Sequence, residues 1–140
     1  MKELVINKED LKHNVRQIKK YAKDSKVIAV VKSNGYGLDL VKLTKFLIDN
    51  RNWNICSCNN WRKNGIKEEI LLLSSTCLKE DVQSLIENNI TLTIGSVESA
   101  KIANEVANEK NIKIKAHLKI DTGFGRYGFV YTKKDDILKT

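Results

Sequence analysis

The feature that most limits the fold of this chain is the run Val-Ile-Ala-Val-Val at residues 27–31, which shows no alternation of polar and apolar side chains. A continuous apolar run is typical of a strand that is buried on both faces in a parallel sheet. We predict this strand at 26–31 and further strands at 53–58, 69–73, 91–94 and 112–120. Strands that alternate with helices indicate an α/β fold with a parallel sheet.

Helices are predicted between these strands from apolar residues at helical spacing. The first begins after Asn7, a good N-cap residue. Its inward face is formed by Leu11, Val15, Ile18 and Ala22. The other predicted helices lie at 38–49, 60–64, 79–87 and 96–109, and residues 133–140 resemble the start of one more.

The length and the absence of a linker predict one domain over residues 1–140. Two architectures fit the alternating pattern, namely an open doubly wound sheet and part of a (β/α)8 barrel. A complete barrel needs about 250 residues, so this chain would supply about five of the eight βα units. We therefore interpret it as a partial barrel.

Composition argues against several classes of protein. The net charge is +8, but only four of the 25 basic residues are Arg and the lysines are scattered, which is typical of a solvated surface rather than a nucleic-acid groove. No apolar run is long enough to span a membrane, and the N-terminus lacks a signal core, so we expect a cytoplasmic protein. Three cysteines at positions 56, 58 and 77 suit neither a disulfide framework nor a zinc site, and no metal is expected.

Two polar, glycine-rich segments follow predicted strands, and the ends of parallel strands are where active sites form in both architectures. In the first, Lys32 follows the apolar run and precedes Ser-Asn-Gly-Tyr-Gly. A lysine that emerges from a buried strand is expected to be partly desolvated, which favours the neutral amine needed for a Schiff base. A lysine that merely reaches solvent at the rim of the sheet is the structural alternative. Gly35, Gly37 and the hydroxyl of Tyr36 favour the functional interpretation.

The second segment, residues 119–128, contains the pattern Gly123-x-Gly125-x-x-Gly128 of a dinucleotide-binding loop. The match is weak, because it follows the fifth strand and the acidic residue expected about 20 positions later would lie beyond residue 140. Arg126 in the same segment suits a substrate carboxylate. Lys119 is predicted to be internal, where it would need a partner or a modification.

Both segments resemble one family. Val30-Val-Lys-Ser-Asn-Gly-Tyr-Gly37 is similar to Val-Val-Lys-Ala-Asn-Ala-Tyr-Gly, the cofactor-lysine motif of bacterial alanine racemases. His117-Leu-Lys-Ile-Asp-Thr-Gly-Phe-Gly-Arg-Tyr-Gly128 is similar to their second signature, His-Leu-Lys-Val-Asp-Thr-Gly-Met-x-Arg-Leu-Gly. Residues 65–73 and 10–14 also resemble stretches of these enzymes, so the resemblance covers nearly the whole chain.

The resemblance implies the N-terminal part of a pyridoxal-phosphate (PLP) barrel that interconverts L- and D-alanine for peptidoglycan synthesis. It implies that Lys32 is the Schiff-base lysine and the base on the D-face, and that Tyr36 bonds the cofactor phosphate. Arg126 is expected to lie near the cofactor ring oxygen and the substrate carboxylate. Lys119 matches a lysine that is often carbamylated in the family. A homodimer is expected.

The sequence departs from the family in ways that limit this expectation. Leu38-Asp39 replaces the family's His-Gly after the first motif, and the region 58–63 is about one helical turn shorter. The family's C-terminal β-domain, which supplies the second base as a Tyr across the dimer, has no counterpart in these 140 residues. We therefore expect this chain alone not to racemise alanine efficiently. A non-racemising PLP barrel and, less favoured, a dinucleotide-binding α/β domain are the alternatives.

Overall fold

The computed structural model describes residues 4–51, 54–56 and 61–138. Their helices are α1 (Lys8–Ala22), the single turn α2 (Ser33–Tyr36), α3 (Leu40–Arg51), α4 (Lys79–Glu87), α5 (Val97–Glu109) and α6 (Lys134–Leu138), with a 3-10 turn at Arg62–Asn64. The strands are β1 (Ile28–Val30), β2 (Asn54–Cys56), β3 (Ile70–Leu71), β4 (Leu92–Ile94), β5 (Ala116–Leu118), β6 (Ile120–Asp121) and β7 (Phe129–Val130).

Every strand pairing in the described residues is parallel and joins strands that are consecutive along the chain. β1 pairs with β2, β2 with β3, β4 with β5, and β6 with β7. A bridge between Leu71 and Thr91 joins β3 to the start of β4. Lys119 separates β5 from β6, and its carbonyl oxygen accepts a hydrogen bond from the amide of Phe129 at 2.9 Å.

This sequential order distinguishes the two architectures that the sequence left open. A doubly wound sheet reverses its strand order at a switch point, whereas a (β/α)8 barrel adds each new strand beside the last. The described strands show no reversal. Their order is therefore that of a barrel segment, as expected for the partial barrel.

The strand prediction for residues 26–31 is right in position but wrong about burial. Ala29 and Val31 belong to the hydrophobic core, whereas Ile28 and Val30 are 44% and 57% exposed. Side chains alternate along a strand, so these pairs lie on opposite faces of the sheet. Only one face of β1 is covered by the described residues.

The helices follow the sequence closely because each carries its own end signals. Asn7 caps α1 by accepting a hydrogen bond from the amide of Glu9 at 2.9 Å, and Ser96 forms a capping box with Ser99 at the start of α5. Helix α4 has its predicted bounds, and α6 forms where a helix start was predicted. Strand β7 was not predicted. The strand prediction at 53, 57 and 58 and the helix prediction at 60 fall outside the described residues.

Helices α4 and α5 are joined by ion pairs as well as by their apolar faces. Lys79 contacts Glu105 and Glu109, both at 2.6 Å, and Lys110 contacts Glu87 at 3.0 Å. The hydrogen bond to Glu105, then that to Glu109, raises the pKa of Lys79 to about 12. Because folding raises the pKa of Lys79, its ion pairs contribute fully to folding stability at pH values below the ordinary lysine pKa. That contribution declines as the pH rises towards 12.

Arg62 links the turn before β3 to the turn after α4. Its guanidinium donates to the carbonyl oxygens of Ile66 and Glu68, before β3, and to those of Asn88 and Asn89, after α4. All four distances lie between 2.8 and 2.9 Å. A planar guanidinium can satisfy several carbonyl groups at once, which an ammonium on one nitrogen cannot do in the same geometry. This arginine is thereby assigned to the fold rather than to a ligand.

Candidate functional site

The candidate site lies at the carboxyl ends of the parallel strands. Lys32 follows β1 by two residues, Gly95 follows β4 directly, and the segment 122–128 follows β6. Parallel pairing places the carboxyl ends of all these strands at one edge of the sheet. This edge is where ligands bind in α/β folds built from parallel strands.

After Lys32 the backbone makes a left-handed turn. The φ angles of Ser33, Asn34, Gly35 and Tyr36 are 49°, 51°, 62° and 55°. This region is unfavourable for residues with a Cβ, by roughly 1–2 kcal/mol each, and is found mostly where the surrounding structure enforces it. Three of the four residues are not glycine, so the turn stores strain directly beside Lys32.

Helix α3 holds this turn in place. The side chain of Asn34 accepts a hydrogen bond from the amide of Leu40 at 3.2 Å. Asp39 caps the helix by accepting from the amides of Val41 and Lys42, and the bonds from Lys42 lower the pKa of its carboxyl group. A Cβ at Gly35, which is buried, would lie 3.3 Å from the Leu43 side chain. The left-handed turn is therefore anchored both by hydrogen bonding and by packing.

Lys32 and Tyr36 present their functional groups to solvent. Lys32 is exposed, and Tyr36 is 72% exposed. Neither side chain makes a hydrogen bond or an ion pair with the residues that the structure describes. The partial desolvation expected for Lys32 is wrong for this chain, because it shares the uncovered face of β1 with Ile28 and Val30.

The second segment is shaped by the carboxylate of Asp121, a residue that is only 8% exposed as a whole. It accepts hydrogen bonds from the amides of Gly123 at 3.0 Å and of Gly125 at 2.9 Å. The bond from Gly123, then those from Gly125 and Phe124 and the charge of Lys119, hold the pKa of Asp121 below its ordinary value against the opposing effect of desolvation. Asp121 was not predicted as a site residue, although an Asp followed by glycines is a common signal for such a loop.

Tyr127 connects the second segment to its surroundings. Its hydroxyl group donates to the carbonyl oxygen of Leu73, just after β3, at 2.7 Å. Its ring lies beneath the ammonium of Lys119, with Nζ 4.7 Å from the ring centroid. Lys119 was predicted to be internal, and the structure shows it half-buried. It lies between β5 and β6 instead of inside one continuous strand. The backbone of Gly128 packs closely against that of Lys119. A Cβ at position 128 would lie 3.0 Å from the carbonyl oxygen of Lys119, so glycine is needed there.

Arg126 is exposed, and its guanidinium carbon lies 4.7 Å from the centroid of the Phe124 ring. It makes no ion pair with any described residue. The second segment thus carries Lys119 and Asp121 close enough to interact, and it carries Arg126 in the loop that Asp121 organises. Among the described residues, no hydrogen bond or ion pair joins that segment to Lys32 or Tyr36, which lie at the same carboxyl edge of the sheet.

The dinucleotide alternative is contradicted by the element that comes after the glycines. A dinucleotide loop leads into a helix whose N-terminus binds the pyrophosphate. Here Gly123, Gly125 and Gly128 lead into strand β7 instead.

The described part of the chain holds neither a metal cluster nor a membrane span. In it, no three His, Cys, Asp or Glu side chains are grouped so as to bind a metal ion. Over the same residues, none of the helices has the length and apolar character needed to span a membrane.

We predict that Asp121→Asn destabilises the chain at neutral pH and removes part of its acid sensitivity. Because the pKa of Asp121 is lowered on folding, its contribution is present above the ordinary carboxyl value of about 4 and is lost as the pH falls through the depressed value. Thermal unfolding from pH 7 to pH 3 should therefore show a difference from the native chain that shrinks in acid. Asp24→Asn, at an exposed turn, is the control. A constant difference across the range would contradict the prediction.

Comparison with known sequences identifies the family. The family described as "Alanine racemase, N-terminal domain" matches residues 6–140. Alanine racemase 1 of Clostridium acetobutylicum is 33% identical over 134 residues, which are 92% of this chain and 34% of the relative. Alanine racemase of Pediococcus pentosaceus is 36% identical over 132 residues, 90% of this chain and 34% of the relative. The chain thus spans about a third of the length of these curated relatives.

Comparison with solved structures agrees. Alanine racemase of Clostridium difficile 630 superposes with a TM-score of 0.82 at 31% identity, over 94% of this chain and 36% of that chain. Histidine racemase of Leuconostoc mesenteroides superposes with a TM-score of 0.81 at 25% identity, over 94% and 36%. The fold is therefore the α/β fold of the barrel domain in these racemases. The chain belongs to the alanine racemase family and corresponds to part of its N-terminal domain.

Proposed function

We propose that this chain carries the cofactor-lysine part of a PLP-dependent amino-acid racemase. The observation that carries the proposal is the position of Lys32: it follows a parallel strand at the edge where ligands bind, beside a strained turn, and its amine has no partner among the described residues. Backbone strain of this kind is concentrated at functional sites.

The residues present fit an aldehyde cofactor that bears a phosphate. Among the described residues, the Lys32 amine makes no ion pair, so it would be free to hold the aldehyde group of such a cofactor. The Tyr36 hydroxyl, four residues later and also unpartnered among the described residues, can donate a hydrogen bond to a phosphate oxygen. When bound, PLP supplies an electron sink for the carbanion formed at the substrate Cα.

We assign the remaining roles on the side of the substrate. Lys32 Nζ is the base that removes the Cα proton on the D-face, and Arg126 pairs with the substrate carboxylate through its guanidinium. The proposed substrate is alanine, with L- and D-alanine interconverted for peptidoglycan synthesis in the cytoplasm by a homodimer. The names of the matched relatives support alanine as the substrate. Because the chain is also similar to a histidine racemase, the identity of the amino-acid substrate is the first property to test.

The exposure of Lys32 limits what the chain can do alone. An active site lowers the barrier most when it excludes water and fixes its charged groups. Here the face of β1 that carries Lys32 is open, with Val30 beside it 57% exposed. We infer that the remaining two-thirds of a racemase-length chain, including the second base, are needed for efficient turnover.

Titration of the chain with PLP, followed by borohydride reduction and peptide mapping, tests the role of Lys32. We expect reduction to fix the cofactor on Lys32 in preference to the other lysines, because its amine has no partner among the described residues and follows a strand at the edge where ligands bind. Lys32→Arg should abolish this labelled peptide. Lys26→Arg, which changes an exposed lysine at the opposite end of the same strand, should leave it unchanged. Labelling spread evenly over the surface lysines would contradict the proposal.

Racemisation of alanine by the 140-residue chain should be at least about a hundredfold slower than that of a racemase of full family length, the ordinary effect of losing one acid–base group. Chiral chromatography of the product measures it directly. Family-like turnover by this chain would overturn the inference that the later parts are required. A racemase-length form that binds PLP at Lys32 but turns over no amino acid would instead favour the non-racemising alternative.

A further inference from the structure

The exposed arginine of the second segment rests on an aromatic ring from the same loop. The guanidinium carbon of Arg126 lies over the ring of Phe124, 4.7 Å from its centroid. A cation in this position is attracted by the negative face of the ring. The alanine racemase signature has methionine where Phe124 stands, so the ring is not part of that signature. Phe124 is 76% exposed, so packing in a core does not account for it either.

The backbone that carries this pair is fixed on both sides. The carboxylate of Asp121 accepts hydrogen bonds from the two amides that flank Phe124, at 3.0 and 2.9 Å. On the far side of Arg126, the hydroxyl group of Tyr127 donates to a carbonyl oxygen just after β3 at 2.7 Å. Gly125 lies between the two residues of the pair with a φ of 72°, in the left-handed region that favours glycine. The loop backbone therefore defines where both side chains begin.

The contact with the ring leaves the binding edge of the arginine open. A guanidinium group is planar and its N–H groups point outward in that plane, so a ring can stack on its face without using them. The same edge can bind a carboxylate through two parallel hydrogen bonds. Arg126 makes no hydrogen bond or ion pair with the described residues. Arg62 differs, because its guanidinium is bonded to four backbone carbonyl groups.

We propose that Phe124 is a positioning residue that holds the Arg126 guanidinium ready for a carboxylate ligand. The inference rests on the proposed function, in which Arg126 pairs with the substrate carboxylate, and it adds the residue that prepares Arg126 for that contact. An exposed arginine side chain populates many rotamers and loses this freedom when it binds. A side chain that a ring already holds loses less, so the ring strengthens carboxylate binding without touching the ligand.

The test is a titration of the ¹⁵N-labelled 140-residue chain with propionate, which is alanine without its amino group, at constant ionic strength. The Nε–Hε resonance of Arg126 reports binding, and its loss in Arg126→Lys identifies it. Phe124→Leu removes the ring and Phe124→Tyr retains one. We expect Phe124→Leu to raise the Kd for propionate about twofold to fivefold, the factor that corresponds to one exposed cation–π contact. Phe124→Tyr should bind propionate as the native chain does.

The chain offers two controls for this titration. Tyr131→Leu removes another exposed aromatic ring, just after β7, and should leave the Kd unchanged. The Nε–Hε resonance of Arg62 should not move, because its guanidinium is already bonded to backbone carbonyl groups.

A ring-current measurement tests the geometry without a ligand. In the native chain and in Phe124→Tyr, the Hδ signals of Arg126 should lie upfield of those of Arg16, which is exposed on α1. In Phe124→Leu the two sets of signals should coincide, because no ring remains beside Arg126.

Three results would overturn the proposal. They are an Arg126 resonance that does not respond to propionate in the native chain, an equal Kd in the native and Phe124→Leu chains, and native Hδ signals of Arg126 that coincide with those of Arg16. Circular dichroism establishes that each variant is folded, and the ring-current measurement on the native chain stands even where Phe124→Leu is not. PLP labelling of Lys32 involves neither propionate nor Phe124, so the proposed cofactor attachment is tested separately.

Discussion

Parallel hydrogen bonding between consecutive strands is the interaction on which the rest of this structure depends. It sets the strand order, and it places Lys32, Gly95 and the loop after β6 at one edge of the sheet although they lie far apart in sequence. Helices between the strands are long enough to return the chain to the start of the next strand. Without this pairing neither polar segment would have a defined neighbour, and the candidate site would not exist.

The two polar segments are built by different local forces. The segment after β1 is a strained left-handed turn held by Asn34 and by packing of Gly35 against α3. The segment after β6 is organised by one buried carboxylate, Asp121, that gathers successive amides. The first presents an amine and a hydroxyl group, and the second presents two cations. Together they offer an attachment point for a carbonyl compound and groups that suit anions.

Local signals made much of the fold predictable. The caps at Asn7 and Ser96 and the spacing of apolar residues locate the helices, because these forces act within a few residues. Strand β7 was missed, since its two residues form a strand only through their pairing with β6. The exposure of Ile28 and Val30 was also missed, because a sequence run cannot tell which face of a strand the rest of the chain covers. The contact between Tyr127 and Lys119 depends on the position of β3 and was equally invisible.

The central claim is that the turn after Lys32 and the loop that carries Arg126 belong to one binding site. Amide chemical shifts of the isotopically labelled chain, recorded as PLP is added, test it most directly. We expect residues 33–37 and 122–126 to shift together, with one common saturation curve. Shifts confined to 33–37, or two segments that saturate at different concentrations, would contradict a shared site.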